Sequence, residues 1–357
     1  MKFTFFVQGE GRGHLIQAIT LKEQLEKRGH LISAVFVSSS PARKLPDFFA
    51  QRMGITPKLI GGPVFIADKN GKGVSFWRSL FATLKNSLKW PKYFKEIAIT
   101  LNEENPDVIV SFYEPLSGLY RLISNKRRPF FLIGHQFFVE HPSFIFPKKR
   151  FLEKKFFIFY NRLLSLGGAK KIALSFCDAP NLIEKNLFVC PPLIRGEIKN
   201  FLSEHHNYIM AYLLNHGYSE EIENWCKKNP GSQVEAFSDQ QKNSSLENLH
   251  FNPINDVTFA ECLRNCSIYL STAGFESICE AAYLDKNIIM VPTKNHYEQL
   301  CNAHDAERVG VAIMSDTFNP DILLDEKKAQ LSKNRETFKN WADLNSNKII
   351  SILENVK

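Results

Sequence analysis

No apolar run in the sequence is long enough to cross a membrane, which takes about 20 consecutive apolar residues. The short apolar run at Met1–Val7 does not predict a secretory signal either, because Gln8-Gly9-Glu10 ends it. We therefore expect a cytoplasmic protein. The chain also lacks low-complexity segments and short repeats. Its content of 44% hydrophobic and 23% charged residues is typical of a soluble folded protein.

Motifs for metals and nucleoside triphosphates are missing as well. The seven cysteines are scattered, and no second Cys or His pair stands at zinc spacing from Cys262 and Cys266. We interpret all seven as reduced structural thiols. No Asp-x-Asp motif follows a predicted strand, so the sequence indicates no metal site and no cofactor. The absence of Gly-Lys-Ser/Thr after the first glycine-rich loop excludes a Walker loop.

The length and the charge of the chain are informative. Its 357 residues are too many for one ordinary core and fit two domains. Lys and Arg number 45 and Asp and Glu number 37, which gives a formal net charge of +8. A positive balance suits nucleotides, nucleic acid or an acidic membrane surface, and improved solubility is an equally good interpretation.

Apolar runs alternate with helical patterns along the chain. In the first half we predict strands at 3–7, 31–37, 106–112 and 129–133, with a helix at 15–27. A second series begins near residue 207, with alternating elements predicted at 208–214, 220–227, 234–237, 250–252, 258–264, 268–271, 275–283, 288–291 and 296–309. The end of the chain, about 333–354, is helical. Pro191-Pro192 marks the linker between the two series. This alternation predicts an α/β protein with two doubly wound parallel sheets, and such sheets bind ligands at the carboxyl ends of their strands.

The first motif, Gly-Glu-Gly-Arg-Gly-His at residues 9–14, follows the first predicted strand and opens a helix. Gly11 and Gly13 permit a tight turn and a close backbone approach to a ligand, and a helix N-terminus favours anions. A dinucleotide-binding fingerprint would have its last glycine where His14 stands, so that fingerprint is incomplete. A histidine at this turn faces the cleft and can act as a general base, and capping of the helix is the alternative.

The second motif covers residues 271–303. A predicted strand ends in the small-residue turn Ala273-Gly274, and the free N–H groups of the helix that begins there suit a diphosphate. Glu280 lies further along that helix, where its carboxylate can accept both ribose hydroxyls. Glu298 and Gln299 open the next helix on the same rim, within reach of sugar hydroxyls. An ordinary strand–turn–helix unit with solvated carboxylates is the alternative.

At these residues the chain resembles a known family. Gly-Phe-x-Ser-x-x-Glu-Ala from residue 274, a strand ending in Val291-Pro292, and Glu-Gln-x-x-Asn-Ala from residue 298 resemble the donor-binding half of GT-B glycosyltransferases. The pattern is similar to the N-acetylglucosaminyltransferase that makes lipid II, to the UDP-glycosyltransferases, and to a bacterial and archaeal group that opens with Gly-Glu-Gly-Arg-Gly-His. The resemblance covers residues 3–30 and about 250–312.

The resemblance implies a GT-B fold, in which two Rossmann-like domains face a cleft. The amino-terminal domain, 1–195, would bind the acceptor. The carboxyl-terminal domain, 196–335, would bind the nucleotide-sugar donor. A last helix, 336–357, would pack back toward the amino-terminal domain.

Position by position, the resemblance also implies roles for single residues. His14 matches the base or acceptor-orienting histidine, and Glu114 and Ser117 match a loop near it, with Glu114 assigned to catalysis. His135-Gln136 resemble an acceptor-side histidine loop, although a structural role for His135 is equally open. Gly11, Gly13 and Ser117 are assigned to the acceptor side as well. On the donor side, the implied contacts to the diphosphate, the ribose and the sugar come from Thr272, Gly274, Ser277, Glu280, Glu298 and Gln299.

Two departures from the family pattern concern the phosphates. Many relatives carry His or Arg two residues before the turn glycine, where this chain has Thr272. The loop after the first strand of the second domain is normally glycine-rich, whereas here it reads Leu-Asn-His-Gly. We expect Asn215, His216 and Gly217 to contact the donor, with His216 supplying the missing positive or donor group.

A third feature pairs Lys and Arg with aromatic residues at 76–95 and 144–160. This pairing suits an anionic bilayer surface and could also suit single-stranded nucleic acid. Both clusters lie in the acceptor-side domain, which favours the membrane, and we expect no nucleic-acid partner. An amphipathic core helix with a solvated basic face is the alternative.

These features predict a metal-independent, hexosyltransferase-type enzyme. It would move a sugar from a nucleotide-diphosphate donor, expected to be a UDP sugar, to a hydroxyl acceptor such as a lipid-linked or cell-envelope glycan. The enzyme could then lie on the inner face of the cytoplasmic membrane. One alternative is a nucleotide-sugar 2-epimerase, for which Glu10, Arg12 and Glu114 offer charged groups. The other is a non-catalytic nucleotide-sugar-binding protein, which the loss of the cation at Thr272 would suit.

Overall fold

The computed structural model describes most of the chain. The described ranges are 1–39, 45–62, 76–124, 127–148, 150–166, 168–204, 206–213, 218–238, 244–323, 325–344 and 347–356. Within them the molecule is built around two parallel sheets, of seven and six strands.

The first sheet lies in the amino-terminal half. Its strands are β1 (Lys2–Gln8), β2 (Leu31–Ser38), β3 (Lys58–Ile60), β4 (Val108–Phe112), β5 (Phe130–Gly134), β6 (Lys170–Leu174) and β7 (Leu187–Cys190). The helices around it are α1 (Arg12–Glu26), α2 (Asp47–Met53), α3 (Phe76–Ser87), α4 (Trp90–Glu104), α5 (Pro115–Ile123) and α6 (Phe151–Leu164). Short 3-10 helices span His135–Glu140 and Ile183–Lys185.

The second sheet lies in the carboxyl-terminal half. Its strands are β8 (Tyr208–Leu213), β9 (Gln233–Ser238), β10 (Leu249–Pro253), β11 (Ile268–Ser271), β12 (Asn287–Met290) and β13 (Ile313–Met314). The helices of this half are α7 (Gly196–Asn200), α8 (Ser219–Lys228), α9 (Asp256–Asn265), α10 (Phe275–Tyr283), α11 (Tyr297–Val309), α12 (Asp325–Leu344) and α13 (Lys348–Glu354), with a 3-10 turn at Pro320–Ile322.

Both sheets have the doubly wound strand order. The orders are β3-β2-β1-β4-β5-β6-β7 and β10-β9-β8-β11-β12-β13. β1 pairs in parallel with β2 and β4, and β8 pairs in parallel with β9 and β11. Residues 3–7 of β1 are fully buried, as expected for a parallel strand that is covered on both faces. The predicted fold class, α/β with two parallel sheets, is confirmed.

The predicted elements of both series appear within one or two residues, except that helix α1 begins at Arg12 instead of Leu15. Four strands were not predicted: β3, β6, β7 and β13. The single helix predicted for the end of the chain is two helices, α12 and α13. The predicted boundary at residue 195 falls between β7 and β8.

The halves of the molecule share an apolar core. It runs from the first sheet through Phe176 and Phe275, whose ring centroids lie 4.7 Å apart, to the helices of the second half. The end of the chain returns to the first half, because Trp341 Nε1 donates to the carbonyl oxygen of Ser175 at 3.1 Å. Glu354 of α13 contacts His30 at 2.9 Å.

Candidate active site

The candidate site lies where the carboxyl ends of the two sheets face each other. The winding of the first sheet reverses between β1 and β4, and that of the second between β8 and β11. Ligands bind at such switch points. The first turn of α1, which follows β1, carries His14; the loop after β4 carries Tyr113 and Glu114, and the turn after β11 carries Gly274. The topology therefore brings the two main sequence motifs together.

His14 is partly buried in the first turn of α1, for which Gly11 is the N-cap. Its Nδ1 lies 3.2 Å from Oε1 of Gln17, and its Nε2 lies 3.4 Å from Nε2 of Gln136. Burial lowers the pKa of His14, and the charge of Glu298 and the bond to Gln17 oppose that effect. A neutral imidazole near neutral pH is the form that accepts a proton, so the surroundings suit a general base.

The ring of Tyr113 packs against the imidazole of His14. The two rings are stacked, with centroids 5.8 Å apart. Tyr113 adopts a φ of 57°, which is strained for a bulky side chain. Its hydroxyl donates to Oδ1 of Asn161 at 2.9 Å, and Asn161 donates to the carbonyl oxygen of Gln136 at 3.1 Å. These contacts hold the strained residue in place beside the candidate base.

Glu114 and Ser117 point into the protein instead. The carboxylate of Glu114 caps α5 and accepts the backbone N–H groups of Leu116 at 2.9 Å and Ser117 at 2.7 Å. Burial raises the pKa of Glu114 to about 7, against the effect of these hydrogen bonds. The Ser117 hydroxyl donates to Ser111 Oγ at 2.8 Å. Both residues belong to the predicted loop, but these hydrogen bonds join them to α5 and β4 rather than to His14.

The turn after β11 leads directly into helix α10, as the sequence predicts. Gly274 is the N-cap of α10, and its N–H donates to the carbonyl oxygen of the buried Thr272 at 2.7 Å. Asn302 Nδ2 donates to the carbonyl oxygen of Ala273 at 3.0 Å, which ties the turn to α11. Ser277, in the first turns of α10, is partly exposed. The amides of this helix N-terminus suit an anion.

Glu280 is buried in α10 and is paired with an arginine of the linker. Arg195 Nε lies 2.6 Å from one Glu280 carboxylate oxygen, and its second nitrogen lies 2.7 Å from the other. Asp256 and Glu197 contact the same guanidinium at 2.5 Å and 3.0 Å. A carboxylate has about four lone-pair positions, so Arg195 leaves room for two more donors. The role of Glu280 toward ribose stays a prediction.

Glu298 and Gln299 begin α11 but face different partners. Glu298 Oε1 accepts from Nε2 of Gln136, across the cleft, at 2.8 Å. Gln299 is buried, and its Oε1 accepts the backbone N–H of Thr293 at 2.8 Å. Glu298 therefore lies in the same hydrogen-bonded group as His14, whereas the amide of Gln299 is engaged by its own loop.

His135 is buried where the two halves meet. It forms a hydrogen bond through Nδ1 to the carbonyl oxygen of Leu174 at 2.7 Å, and its ring stacks on Phe275 with centroids 4.2 Å apart. Its Nε2 lies 3.7 Å from a carboxylate oxygen of the buried Asp305. Burial lowers the pKa of His135, and Asp305 opposes the shift. These contacts link the acceptor-side loop to α10 and α11.

Sequence reasoning assigned no role to several residues of this site. Gln17, Tyr113, Asn161 and Arg195 were not singled out, and Gln136 was noted only as the neighbour of His135. The position of Gln17, one helical turn after His14, was the one available signal. The predicted donor residues Asn215, His216 and Gly217 lie outside the described residues. Gly13 was assigned to the acceptor side, yet it faces Glu276: a Cβ added to Gly13 would lie 3.4 Å from the Cβ of Glu276.

Three further observations concern the part of the chain that the structure describes. All seven cysteines lie in it and are unpaired. In the described ranges no helix combines the length and apolar character that a membrane span requires. Among the same residues, no three His, Cys, Asp or Glu side chains are grouped as metal ligands would be.

Comparison with known proteins places the chain in a family. The family model described as glycosyl transferase family 1 matches residues 1–327. A search of the curated proteins finds no match to the chain.

Several solved structures share the whole fold. The glycotransferase of kitacinnamycin is similar, with a TM-score of 0.65 at 14% identity over 99% of this chain and 98% of that one. UGT2 of Phytolacca americana, solved with UDP-2-fluoro-glucose and pterostilbene, gives 0.65 at 9% identity, with 99% and 98% covered. The spinosyn rhamnosyltransferase SpnG, solved with thymidine diphosphate, gives 0.60 at 12% identity, with 99% and 100% covered.

The predicted GT-B fold is thereby confirmed. The family match spans nearly the whole chain and includes the turn after β1 and the turn after β11. This protein therefore belongs to glycosyl transferase family 1.

Proposed function

We propose that this protein transfers a sugar from a nucleotide-diphosphate sugar to a hydroxyl group, with His14 as the general base. One observation carries the proposal: Nε2 of His14 and the carboxylate of Glu298 from the other half meet at the same amide, that of Gln136, at 3.4 Å and 2.8 Å. A base on one wall of the cleft thus lies beside the predicted sugar-binding group on the opposite wall. The family match supports this proposal.

The proposed reaction exchanges one bond to the sugar for another. His14 Nε2 takes the proton of the acceptor hydroxyl, whose oxygen forms a bond to the anomeric carbon. The bond from that carbon to the donor phosphate breaks, and the leaving diphosphate keeps the electron pair. The amides at the start of α10, behind Gly274, stabilise the charge that develops on the diphosphate. Glu280 holds the ribose through the lone pairs that Arg195 leaves open.

The donor in this proposal is a UDP hexose, and the reaction needs no metal ion. UGT2 of Phytolacca americana was solved with a UDP sugar and SpnG with thymidine diphosphate, which supports a nucleotide-diphosphate donor here. The sequence lacks Asp-x-Asp after a strand, and helix N-terminal amides can hold a diphosphate instead. Activity should then survive EDTA, and a complete loss that Mg²⁺ reverses would contradict this part of the proposal.

The acceptor in this proposal is lipid-linked, and the protein docks on an anionic membrane through α6. Large apolar side chains project into solvent from this helix: Phe151 is 65% exposed, Leu152 76%, Phe156 55% and Phe159 62%. Lys155 lies 4.4 Å from the centroid of the Phe151 ring. Exposed aromatic side chains edged by Lys suit an anionic bilayer surface.

The inner face of α6 points toward the site. Phe157 contacts Tyr297 of α11 with ring centroids 5.9 Å apart, and Tyr160 contacts Tyr113 at 5.7 Å. Tyr113 in turn stacks on His14. One helix therefore connects the exposed apolar surface to the candidate base. Two aromatic residues of the clusters at 76–95 and 144–160, Phe146 and Trp90, are partly buried against the core, and the side chain of Trp77 is outside the described part.

Transfer is tested by finding a donor and following its label. A thermal-shift screen of nucleotide sugars identifies the donor, because a ligand that binds only the folded state raises its stability. The protein is then incubated with labelled donor and a membrane lipid extract. We expect a labelled glycolipid. A labelled 2-epimer of the donor would instead favour an epimerase, and bound but unchanged donor would favour a non-catalytic binding protein.

Membrane docking is tested separately by co-sedimentation with liposomes with and without phosphatidylglycerol. Binding should need the anionic lipid and fall with salt. Replacing Lys148, Lys149, Arg150, Lys154 and Lys155 with Gln should abolish it without unfolding the domain. The matched control replaces the exposed Lys227 and Lys228 of α8 with Gln, which should leave binding unchanged. Absence of binding to any vesicle would contradict the docking proposal and favour a soluble acceptor.

A further inference from the structure

The side chain of Gln17 connects the candidate base to the donor-binding half. Its Oε1 lies 3.2 Å from Nδ1 of His14, and its Nε2 donates to Oε2 of Glu276 at 2.9 Å. Gln17 and Glu276 are both buried, and Glu276 stands on α10, directly behind the turn at Gly274. The amide therefore spans the cleft between α1 and α10.

Hydrogen-bond chemistry decides which protons lie where in this chain of contacts. The Glu276 oxygen accepts the amide N–H of Gln17, so the amide oxygen must face His14. An amide oxygen only accepts, so Nδ1 of His14 must carry a proton. Nε2 of His14 then carries the unprotonated lone pair, which accepts from the amide of Gln136 at 3.4 Å. This is the tautomer that a base acting through Nε2 requires.

The surroundings keep Glu276 in this arrangement. Its second carboxylate oxygen, Oε1, is buried and has no hydrogen-bond partner among the described residues. The backbone of Gly13 packs against it so closely that a Cβ on Gly13 would lie 3.4 Å from the Cβ of Glu276. Among the described residues, the carboxylate of Glu276 therefore accepts a hydrogen bond from Gln17 alone.

Glu114, which the sequence suggested as the acidic partner in catalysis, does not fill this position. Its two oxygens accept the backbone N–H groups of Leu116 and Ser117. The partner of His14 at Nδ1 is a residue of its own helix, one turn further on. That residue, Gln17, donates a hydrogen bond to Glu276 of the other half.

We propose that Gln17 and Glu276 are positioning residues that hold His14 in its Nδ1–H tautomer when the cleft is closed. The inference rests on the proposed function of His14 as a base. Because Glu276 belongs to α10, the orientation of the base depends on contact between the two halves. His14 then has the Nδ1–H tautomer only when α10, the helix that carries Glu276, is packed against α1. Neither positioning residue gains or loses a proton in this account.

The tautomer can be measured without any turnover. Nitrogen-15 labelled histidine in the full chain reports which ring nitrogen carries the proton, and the His14 signals are assigned by their loss in His14→Gln. We expect the Nδ1–H form in the wild type with uridine diphosphate bound. Gln17→Met, which keeps the size of the side chain but removes the amide, should lose that preference. Gln24→Met, two turns further along α1, is the matched control and should keep it.

Variants of Glu276 test whether an acceptor oxygen at this position is what Gln17 requires. Glu276→Gln retains an acceptor oxygen for Gln17 and should keep the Nδ1–H form. Glu276→Met removes the acceptor and should lose it. In turnover assays, Gln17→Met and Glu276→Met should lower kcat by about 10²-fold, the loss expected from a misoriented group, with the donor Kd unchanged. Glu276→Gln should keep kcat near the wild-type value.

The outcomes distinguish this inference from the proposed function. If the tautomer and kcat of Gln17→Met both match the wild type, the positioning role is overturned even though transfer occurs. A changed tautomer in Gln17→Met and Glu276→Met, in a protein that transfers no sugar, would support the positioning of His14 and contradict the transferase proposal. Circular dichroism of each variant verifies the fold. An unfolded variant is replaced by Gln17→Leu or Glu276→Leu.

Discussion

The carboxylate of Glu280 is held by one arginine, and a nucleotide ribose is proposed as its second partner. Arg195 holds both of its oxygens, at 2.6 Å and 2.7 Å, and so fixes the direction of the remaining lone pairs. A ribose that approaches the turn at Gly274 would meet a carboxylate that is already oriented. Preorganisation of this kind lowers the cost of binding, because the side chain loses no further freedom.

Glu280→Gln should weaken nucleotide binding about tenfold or more, since a hydrogen bond to a charged group contributes about 1.5–3 kcal/mol. Isothermal titration with the nucleotide of the donor measures the change. Glu261→Gln, an exposed substitution on α9, is the matched control. Unchanged affinity in a folded Glu280→Gln protein would show that the ribose binds elsewhere.

Single residues were predictable from the sequence where a short motif held them. His14 and Glu298 were found this way, and the structure brings them to the same amide. Arg195 contacts Glu280 from a distant segment, and nothing in its local sequence indicates this contact. Gln136 was noted only with His135, without its contacts to His14 and Glu298. The direction of Glu114 was also hidden, because a cap and a catalytic acid can occupy the same position after a strand.

At the scale of elements, α5 depends on one buried carboxylate. Glu114 is fully buried and supplies both N-terminal hydrogen bonds of the helix. Burial nevertheless dominates and raises its pKa from 4.5 to about 7. The folded protein therefore binds this proton more tightly than the unfolded chain does, and its stability should fall as pH rises between these two values.

The variant Glu114→Gln should remove that pH dependence. The wild type should lose stability relative to the variant as the pH rises from about 4.5 to about 7, because the folded-state pKa is the higher one. The quantity compared is the difference in free energy of unfolding between the two proteins at each pH. The variant lacks one capping hydrogen bond at every pH, so that loss adds a constant to the difference. Urea unfolding at several pH values measures it. A constant difference across this range would mean that Glu114 titrates alike in both states.

Strands with a continuous buried pattern were predicted from the sequence, whereas short or polar strands were not. β1 and β4 are continuous buried apolar runs, and the sequence predicted both. β6 begins with Lys170 and Lys171, and Lys171 is buried through its 2.5 Å pair with Glu140, so its polar start concealed the strand. β13 has only two residues and carries no pattern. Short or polar strands are fixed by their neighbours in the sheet rather than by their own residues.

At the scale of the whole molecule, an arginine network joins the two halves. Arg52 of α2 contacts Glu23 at 2.6 Å and Asp256 at 2.7 Å, and Asp256 also contacts Arg195. Arg195 then reaches Glu280. The network therefore runs from the helices of the first sheet, through the linker, to the donor-binding helix. Its members are separated widely in sequence, which is why no local pattern predicted it.

Arg195→Met should destabilise the protein by about 3–5 kcal/mol, because it leaves the buried carboxylate of Glu280 without its partner. The double variant Arg195→Met with Glu280→Gln should recover part of that loss, since it no longer buries an unpaired charge. Chemical denaturation of the four proteins in this cycle measures the coupling. Simple addition of the two single effects would indicate that the pair is not coupled in solution.

The proposed reaction depends on the whole cleft: His14, held in the amino-terminal half, would deprotonate the acceptor hydroxyl while the donor is bound in the other half. The most direct test measures turnover and donor affinity for the wild type and His14→Ala under the same conditions. A base predicts that turnover falls by about 10²–10⁴-fold, while the donor Kd stays nearly the same. A variant that loses donor binding and retains its rate would contradict the account and make His14 a phosphate ligand.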